Sequence, residues 1–391
     1  MTKINTIKVY HFHNGSGGGV LSVLRNLIMF SQNDLIENHI IYTINKNEIP
    51  DYIPEEIANA KTQQIFYYNP INNFYYTFKQ LAKLLPNDKA LIVAHDWLEL
   101  GMASNLGLQN PVVQFLHGGY NYYYDLAQKH ISSIDKFICV SPVIFKTLTE
   151  NISSNESAIH QCYFAVPHIK YDFVNNEVLN IFYAVRDLED ANKNFKLLVT
   201  IDEMLKNNAV NVHWTIVGKV SENSNEYKFL LKLRKYVHFP SLSNEDLIFL
   251  LNKMNVFLLP SQNEGLPVAL VEAMKAGLVP LTTNWNNATI ELLIDGENGY
   301  HIELDNALAY AEKIKFLDNN RNILNEFSKK ASQKANELFD PFINTRLIED
   351  VYINVSEGTT KNKKPLKVYG SRLDCPLIPN FITSIIRQVP K

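Results

Sequence analysis

A chain of 391 residues is longer than one hydrophobic core usually organises, and its 46% hydrophobic and 11% aromatic content supports two folded domains and excludes wholesale disorder. A formal net charge of -3 excludes the strongly basic surface of a nucleic-acid binder, so any anionic ligand must be held by local groups. Three cysteines, Cys139, Cys162 and Cys375, are odd in number and lack metal-ligand spacing, as expected of free thiols in a reducing compartment.

The opening residues, MTKINTIKVYHFHNG, contain no signal-peptide core, and no segment reaches the roughly 18–20 apolar residues of a membrane span; a cytoplasmic location is expected. Short apolar runs then alternate with helical patterns: TIKVYHF at 6–12, HIIYTI at 39–44, ALIVAH at 90–95, VVQFLH at 112–117 and KFICV at 136–140. Val- and Ile-rich runs separated by helix-length segments predict βαβ units around a parallel sheet. Pro167 and a pair of asparagines interrupt the pattern between Val166 and Glu177, and a second series begins with LNIFYAV at 179–185, VHWTIVG at 212–218, VFLLP at 256–260 and VPLTT at 279–283. The expected architecture is α/β, with two Rossmann-like domains at 1–166 and 178–340, and ligands beyond the carboxyl ends of the strands in a cleft between them. Two helices are predicted around Pro341. The last 36 residues, from Ser356, carry seven Lys or Arg against Glu357 and Asp374.

The first candidate site is the loop NGSGGGV at 14–20, a strand–glycine loop–helix arrangement suited to an anion. It fails the dinucleotide pattern in either frame and lacks the Gly-Lys-Ser/Thr of a nucleotide-binding P-loop. That argues against a nucleotide-dependent oxidoreductase or epimerase. His95 and Asp96 end one strand and read equally as a structural pair or as groups facing an acceptor. His117 ends the next, before Gly118 and Gly119; taken alone, it reads as a hydrogen-bonded structural histidine. The aromatic groups YYNPINNFYYTF and YNYYYDL read mainly as core and rim, with sugar stacking or a membrane interface as the alternative uses of tyrosine.

Arg186 and Lys193 follow the first strand of the second series. Alone they read as solvated cations; facing a cleft, they are the groups that would neutralise a leaving diphosphate. The most informative stretch is PSQNEGLPVALVEAMKAGLVPLTT, Pro260 to Thr283, where a strand ends in a loop and Pro267 stands where a helix begins. Gly265 allows close backbone approach, the helix amides suit an anion, and Glu264 and Glu272 offer acceptors suited to sugar hydroxyls.

The string from Pro260 to Gly277 resembles the Glu, seven residues, Glu motif of retaining glycosyltransferases of family 4, which have the GT-B fold. The flanking segments PSLSNEDLIFLLNKMNVFLLP and DGENGYHI are similar to that family as well. The resemblance implies that Glu272 binds the ribose of a nucleotide, that Glu264 contacts donor-sugar hydroxyls, and that the backbone of Gly265, Leu266, Pro267 and Val268 holds sugar and diphosphate. It implies donor-phosphate roles for Arg186 and Lys193, a donor-side role for Gly218, contacts of Gly17, Gly18 and Gly19 with donor phosphate and acceptor, and approach of His117 to the donor sugar. Val185 stands where a glycine usually precedes the arginine, and the loop before Lys193 is slightly long for the pattern.

The implied activity is retaining transfer of a hexosyl unit from a nucleoside diphosphate sugar to a hydroxyl of a glycan or lipid-linked acceptor, in bacterial surface polysaccharide or glycolipid synthesis. No cofactor is expected, and without an Asp-x-Asp pair no metal. In that fold the C-terminal segment, 341–391, crosses back to the first domain. The apolar run LIPNFITSII, with Arg372 and Arg387 around it, reads either as a peripheral contact with the inner face of a membrane or as a segment packed on the first domain. A non-catalytic nucleotide- or glycan-binding partner subunit is the alternative, and the combination of Glu264, Glu272, Arg186 and His117 argues against it.

Overall fold

The computed structural model describes residues 6–48, 56–86, 90–152, 156–171, 173, 175, 177–285, 288–358, 362–367 and 371–388. Parts of three sequence expectations lie outside these residues: the first five positions of the opening segment, three positions of the 166–177 interruption, and Lys361 and Lys391 of the basic tail. Contacts along the chain divide it into two units, one made of 1–165 and 341–391, the other of 166–340.

The first unit is built on a seven-stranded sheet. Its strands are β1 Ile7–His13, β2 Ile36–Asn45, β3 Thr62–Tyr68, β4 Leu91–Ala94, β5 Val112–Leu116, β6 Lys136–Cys139 and β7 Ile159–Gln161, in the order β3-β2-β1-β4-β5-β6-β7. Every neighbouring pair is parallel. The central strands β4 and β5 are buried along their whole length, because crossover helices cover both faces of a parallel sheet. The outer strands β3 and β7 are missing from the sequence reading. β3, TQQIFYY, has only exposed and half-buried positions and opens with three polar residues, so it lacks the buried apolar signature of the inner strands. Part of the aromatic group at 67–78 thus belongs to an edge strand.

The second unit has six parallel strands, β8 Leu179–Asp187, β9 Val212–Lys219, β10 Tyr236–Phe239, β11 Val256–Leu259, β12 Val279–Thr283 and β13 Tyr300–Ile302, ordered β10-β9-β8-β11-β12-β13. The edge strand β10 also lies outside the predicted set. One side of this sheet is packed around Trp214, Tyr183, Ile216, Leu258 and Tyr310. Trp214 donates its indole N–H to buried Asp202 at 3.0 Å, and Asp202 is paired with Arg234 at 2.9 Å, so the buried polar atoms are satisfied. Both sheets place β1 and β8, the first strand of each unit, at the point where strand order reverses, and that point positions the candidate site loops.

The predicted break at Pro341 separates helices Arg321–Leu338 and Pro341–Glu357. The second of these belongs to the first unit. There Ser31 donates to Glu349 at 2.5 Å and Asn344 donates to the Phe164 carbonyl at 3.3 Å.

Candidate functional site

In the second unit the site residues sit on loops at the carboxyl ends of β8 and β11. Arg186 was expected after β8; it lies within the strand, whose pairing with β9 shifts register between Ala184 and Asp187. Such an irregularity bends the strand end and re-aims its side chains, and Arg186 is exposed there. Gly218 on β9 faces this irregularity with φ +154°. A Cβ would stand 2.8 Å from the Val185 carbonyl oxygen, so the close approach of two strands requires glycine.

Lys193 ends a short helical turn, Ala191–Lys193, and its Nζ lies 2.7 Å from Glu264 Oε1. The two loops are laced together by Asn192, whose side chain bonds both the N–H and the C=O of Asn263, at 3.0 and 2.8 Å. Gln262 N–H donates to the Asn192 carbonyl at 2.7 Å. Tyr183, buried on β8, donates to the Lys193 carbonyl at 3.0 Å. The Lys193–Glu264 pair is therefore fixed at backbone level. Neither Asn192 nor Tyr183 was singled out from the sequence; the N-K-N string around Lys193 gives only a loop signal.

After Glu264 the chain runs through buried Gly265 and Leu266 to Pro267, the N-cap of helix Val268–Lys275. Pro267 has φ −68° and ψ 124°, just outside the helix, and among the described residues no side chain caps this end. Its amides and dipole suit an anion. Glu272, half-buried, lies in the second turn. The same helix carries Lys275, buried, whose ammonium donates to the carbonyls of Val166 at 2.7 Å and Phe339 at 2.9 Å; burial lowers its pKa to about 8.

In the first unit a cavity of about 300 Å³ opens at the end of β1. Its lining includes His13, Gly17, Gly19, His95, Asp96 and Tyr122. The glycine loop is thus at a concave site. Gly18, with φ +118°, is the N-cap of helix Gly19–Met29, a backbone state that side chains rarely adopt. His13 Nδ1 accepts the Gly15 N–H at 3.0 Å and so helps to set the loop.

His117 belongs to a line of imidazoles. His95 Nδ1 is 2.8 Å from His117 Nε2, His95 Nε2 is 3.5 Å from His11 Nδ1, and His11 Nε2 is 3.0 Å from Asn38 Oδ1. Asn38 donates to Ser31, whose hydroxyl donates to Glu349. The polarity of the line follows from chemistry. An amide oxygen only accepts, so His11 carries its proton on Nε2; each neutral ring then accepts at Nδ1 from the Nε2–H of the next. His117 is left with Nδ1 as a bare acceptor. Burial keeps these rings neutral: it lowers the pKa of His11 to about 4 and of His117 to about 3, and that of His95 well below the usual value.

Asp96 has a structural role and also lines the cavity. It caps helix Trp97–Leu106, accepting Trp97 N–H at 2.8 Å, and it lines the cavity, where it also accepts from Asn14 at 3.3 Å and from the Tyr122 hydroxyl. Glu99 is the residue that sequence reasoning missed. Fully buried, it accepts His95 N–H at 2.8 Å and Asp96 N–H at 2.6 Å, and burial, reinforced by the Asp96 charge, raises its pKa to about 8. The Asp-x-x-Glu spacing of Asp96 and Glu99 is a capping-box signal that could have found it. Among the described residues no group of three or more His, Cys, Asp or Glu is arranged to hold a metal ion, and no helix is long and apolar enough to cross a membrane.

Residues 169–334 match the protein family described as Glycosyl transferases group 1. The capsular polysaccharide biosynthesis glycosyltransferase CapM of Staphylococcus aureus is 28% identical over 196 residues, covering 48% of this chain and 50% of that protein. The N,N'-diacetylbacillosaminyl-diphospho-undecaprenol alpha-1,3-N-acetylgalactosaminyltransferase of Campylobacter jejuni is 26% identical over 159 residues, 41% of this chain and 40% of that protein. These alignments span half or less of the length of either relative. Among solved structures, the pneumococcal O-GlcNAc transferase GtfA in complex with UDP and GlcNAc superposes with a TM-score of 0.72 at 13% identity, over 90% of this chain and 100% of that one. Anabaena HepE in complex with UDP and glucose gives 0.71 at 13% identity, over 89% of this chain and 100% of that one. The chain therefore has the two-domain α/β fold of these GT-B proteins.

Proposed function

We propose that this chain, whose residues 169–334 match the group 1 glycosyl transferase family, is a retaining glycosyltransferase. It moves a hexosyl unit from a nucleoside diphosphate sugar to a hydroxyl of a glycan or lipid-linked acceptor in bacterial surface polysaccharide synthesis. The observation that carries this reading is the Lys193–Glu264 pair, held by Asn192 at the carboxyl ends of β8 and β11 and preceding the uncapped helix Val268–Lys275. A cation, a carboxylate and free amides converge where α/β sheets bind ligands.

In the reaction the bond between the anomeric carbon and the diphosphate oxygen breaks, and the acceptor oxygen bonds to that carbon on the same face. The acceptor proton passes to a departing phosphate oxygen, so no protein base is required. The protein stabilises charge: Arg186, Lys193 and the amides of Gly265, Leu266 and Val268 face the developing diphosphate, and Glu264 orients sugar hydroxyls. Glu272 takes the ribose. His117, with its bare Nδ1, accepts a hydroxyl hydrogen of the donor sugar, and the loop Gly17–Gly19 contacts phosphate and acceptor. No divalent metal takes part in this scheme. GtfA and HepE were each solved in complex with UDP, so uridine donors are the first to test.

The test is calorimetric titration of UDP, GDP, ADP and their sugar conjugates into the wild type and Glu272→Ala, followed by assay of product stereochemistry with EDTA present. Saturable binding weakened by the substitution, and a retained anomeric configuration, support the reading. A folded protein that binds none of the nucleotides overturns it in favour of a non-catalytic partner subunit.

A further inference from the structure

The last described helix, Asn380–Gln388, has its amphipathic character reversed. Its polar side chains face the protein. Asn380 Oδ1 accepts Asn73 N–H at 2.7 Å, Ser384 donates to Asn72 Oδ1 at 3.2 Å, and Thr383 is buried. Arg387 donates to Asp374 at 2.6 Å and Ser371 at 3.0 Å, and also to the Asn72 carbonyl. Asn73 in turn donates to the carbonyls of Cys375 and Ile378, which fixes the approach to the helix. The large apolar side chains face away. Phe381 and Ile385, four residues apart, are 65% and 60% exposed; Ile382 and Ile386 lie beside them, and Leu377 just before the helix is 89% exposed.

A surface helix is normally held by burying its apolar face. Here hydrogen bonds and an ion pair hold the helix, and a contiguous apolar face is left in water. A patch of that kind marks an interaction surface. The surrounding charge selects the partner. From Asn362 to Gln388 the sequence carries one carboxylate, Asp374, which is buried and paired with Arg387, while Lys364, Lys367 and Arg372 are exposed. Protruding apolar side chains in a segment whose exposed charges are all cationic complement an anionic lipid surface, where the apolar groups enter the headgroup boundary and the cations meet phosphates.

We propose that the face formed by Leu377, Phe381, Ile382, Ile385 and Ile386 docks on an anionic phospholipid bilayer, with Lys364, Lys367 and Arg372 contacting lipid phosphates. This surface is separate from the residues assigned to glycosyl transfer, and the proposal does not depend on that assignment.

The test is co-sedimentation of the full chain with phosphatidylcholine vesicles with and without phosphatidylglycerol. Binding is expected with phosphatidylglycerol, weakened by salt, and reduced about tenfold or more in the double variant Phe381→Ser, Ile385→Ser. That variant keeps every inward hydrogen bond, and an unchanged melting temperature checks that it is folded. A second probe, Phe381→Trp, should shift its emission to the blue on adding the anionic vesicles. Absence of pelleting by wild type, or equal pelleting by the folded double variant, overturns the proposal. So does a concentration-dependent dimer that the double variant dissolves, because the face would then pair with a second copy.

Discussion

His95 Nδ1 and His117 Nε2 stand 2.8 Å apart, and their rings stack at 5.0 Å between centroids with 27° between planes. Through His95, which lines the glycine-loop cavity, His117 is tied to buried His11 and Asn38. What could pass for a lone strand-end histidine is the outer member of an oriented line.

The orientation is testable by nitrogen-15 NMR of histidine-labelled protein. His11, His95 and His117 should each show a protonated Nε2 and a bare Nδ1 at neutral pH. Asn38→Leu removes the acceptor at the inner end, and should leave His117 as a mixture of tautomers. Finding His117 protonated on Nδ1 in the wild type would refute the assigned polarity.

The same burial makes stability depend on pH. Each ring has a folded-state pKa below that of the unfolded chain, so protonation favours unfolding. The contribution is complete above about pH 6.5 and is lost as pH falls towards 4, at up to about 1.4 kcal/mol per pH unit for each histidine. His13 and His130, both lowered to about 4, add to it. Glu99 acts in the opposite sense: its pKa is raised to about 8, so its contribution is present in acid and lost as pH rises from about 4.5 through 8. A single carboxyl does not outweigh several histidines, and the melting temperature should drop steeply from pH 6.5 to 4.5. Glu99→Gln should remove the loss between about pH 6.5 and 8 and steepen the fall from 6.5 to 4.5, where Glu99 opposes the histidines. A melting temperature constant from pH 7 to 5 would contradict this account.

Glu264→Gln and Lys193→Met should each lower kcat by about 10²–10³-fold, the range expected when a preorganised electrostatic contact to the transition state is removed. Because the two groups touch, their effects should not add, and the double variant should lose much less than the product of the single losses. Steady-state kinetics of the four proteins decides the matter; additive effects would mean that the pair does not act as a unit.

Lys275 has a structural role. Its ammonium satisfies the carbonyls of Val166 and Phe339, near the two ends of the second unit, and Lys275→Met fills similar volume while leaving both acceptors buried. A loss of about 1–3 kcal/mol in denaturant unfolding is expected, with nucleotide affinity unchanged in the folded fraction. A neutral substitution would show that water replaces the lysine at no cost.

Gly18→Ala should disturb the glycine loop without a clash. A Cβ there meets no atom within 4 Å, so the cost is backbone strain at φ +118°. The expected outcome is a weakened donor affinity with a melting temperature lowered by a few degrees at most, read by calorimetry and thermal unfolding.

The sequence by itself determined the two series of parallel strands, because strands covered on both faces must be apolar throughout, as β4 and β5 are. It also placed Glu264, Gly265 and Pro267 at a strand-to-helix turn, because proline is favoured where a helix begins; the roles of Glu264 and Glu272 come from resemblance. The edge strands β3, β7 and β10 were not legible, because one exposed side dilutes the apolar pattern. Only the tertiary structure joined Lys193 to Glu264, 71 residues later, and ran His117 through His95 and His11 to Asn38. It alone turned the polar face of Asn380–Gln388 inward: periodicity defines two faces of a helix, but the hydrogen-bonding partners at Asn72, Asn73 and Asp374 decide which is buried.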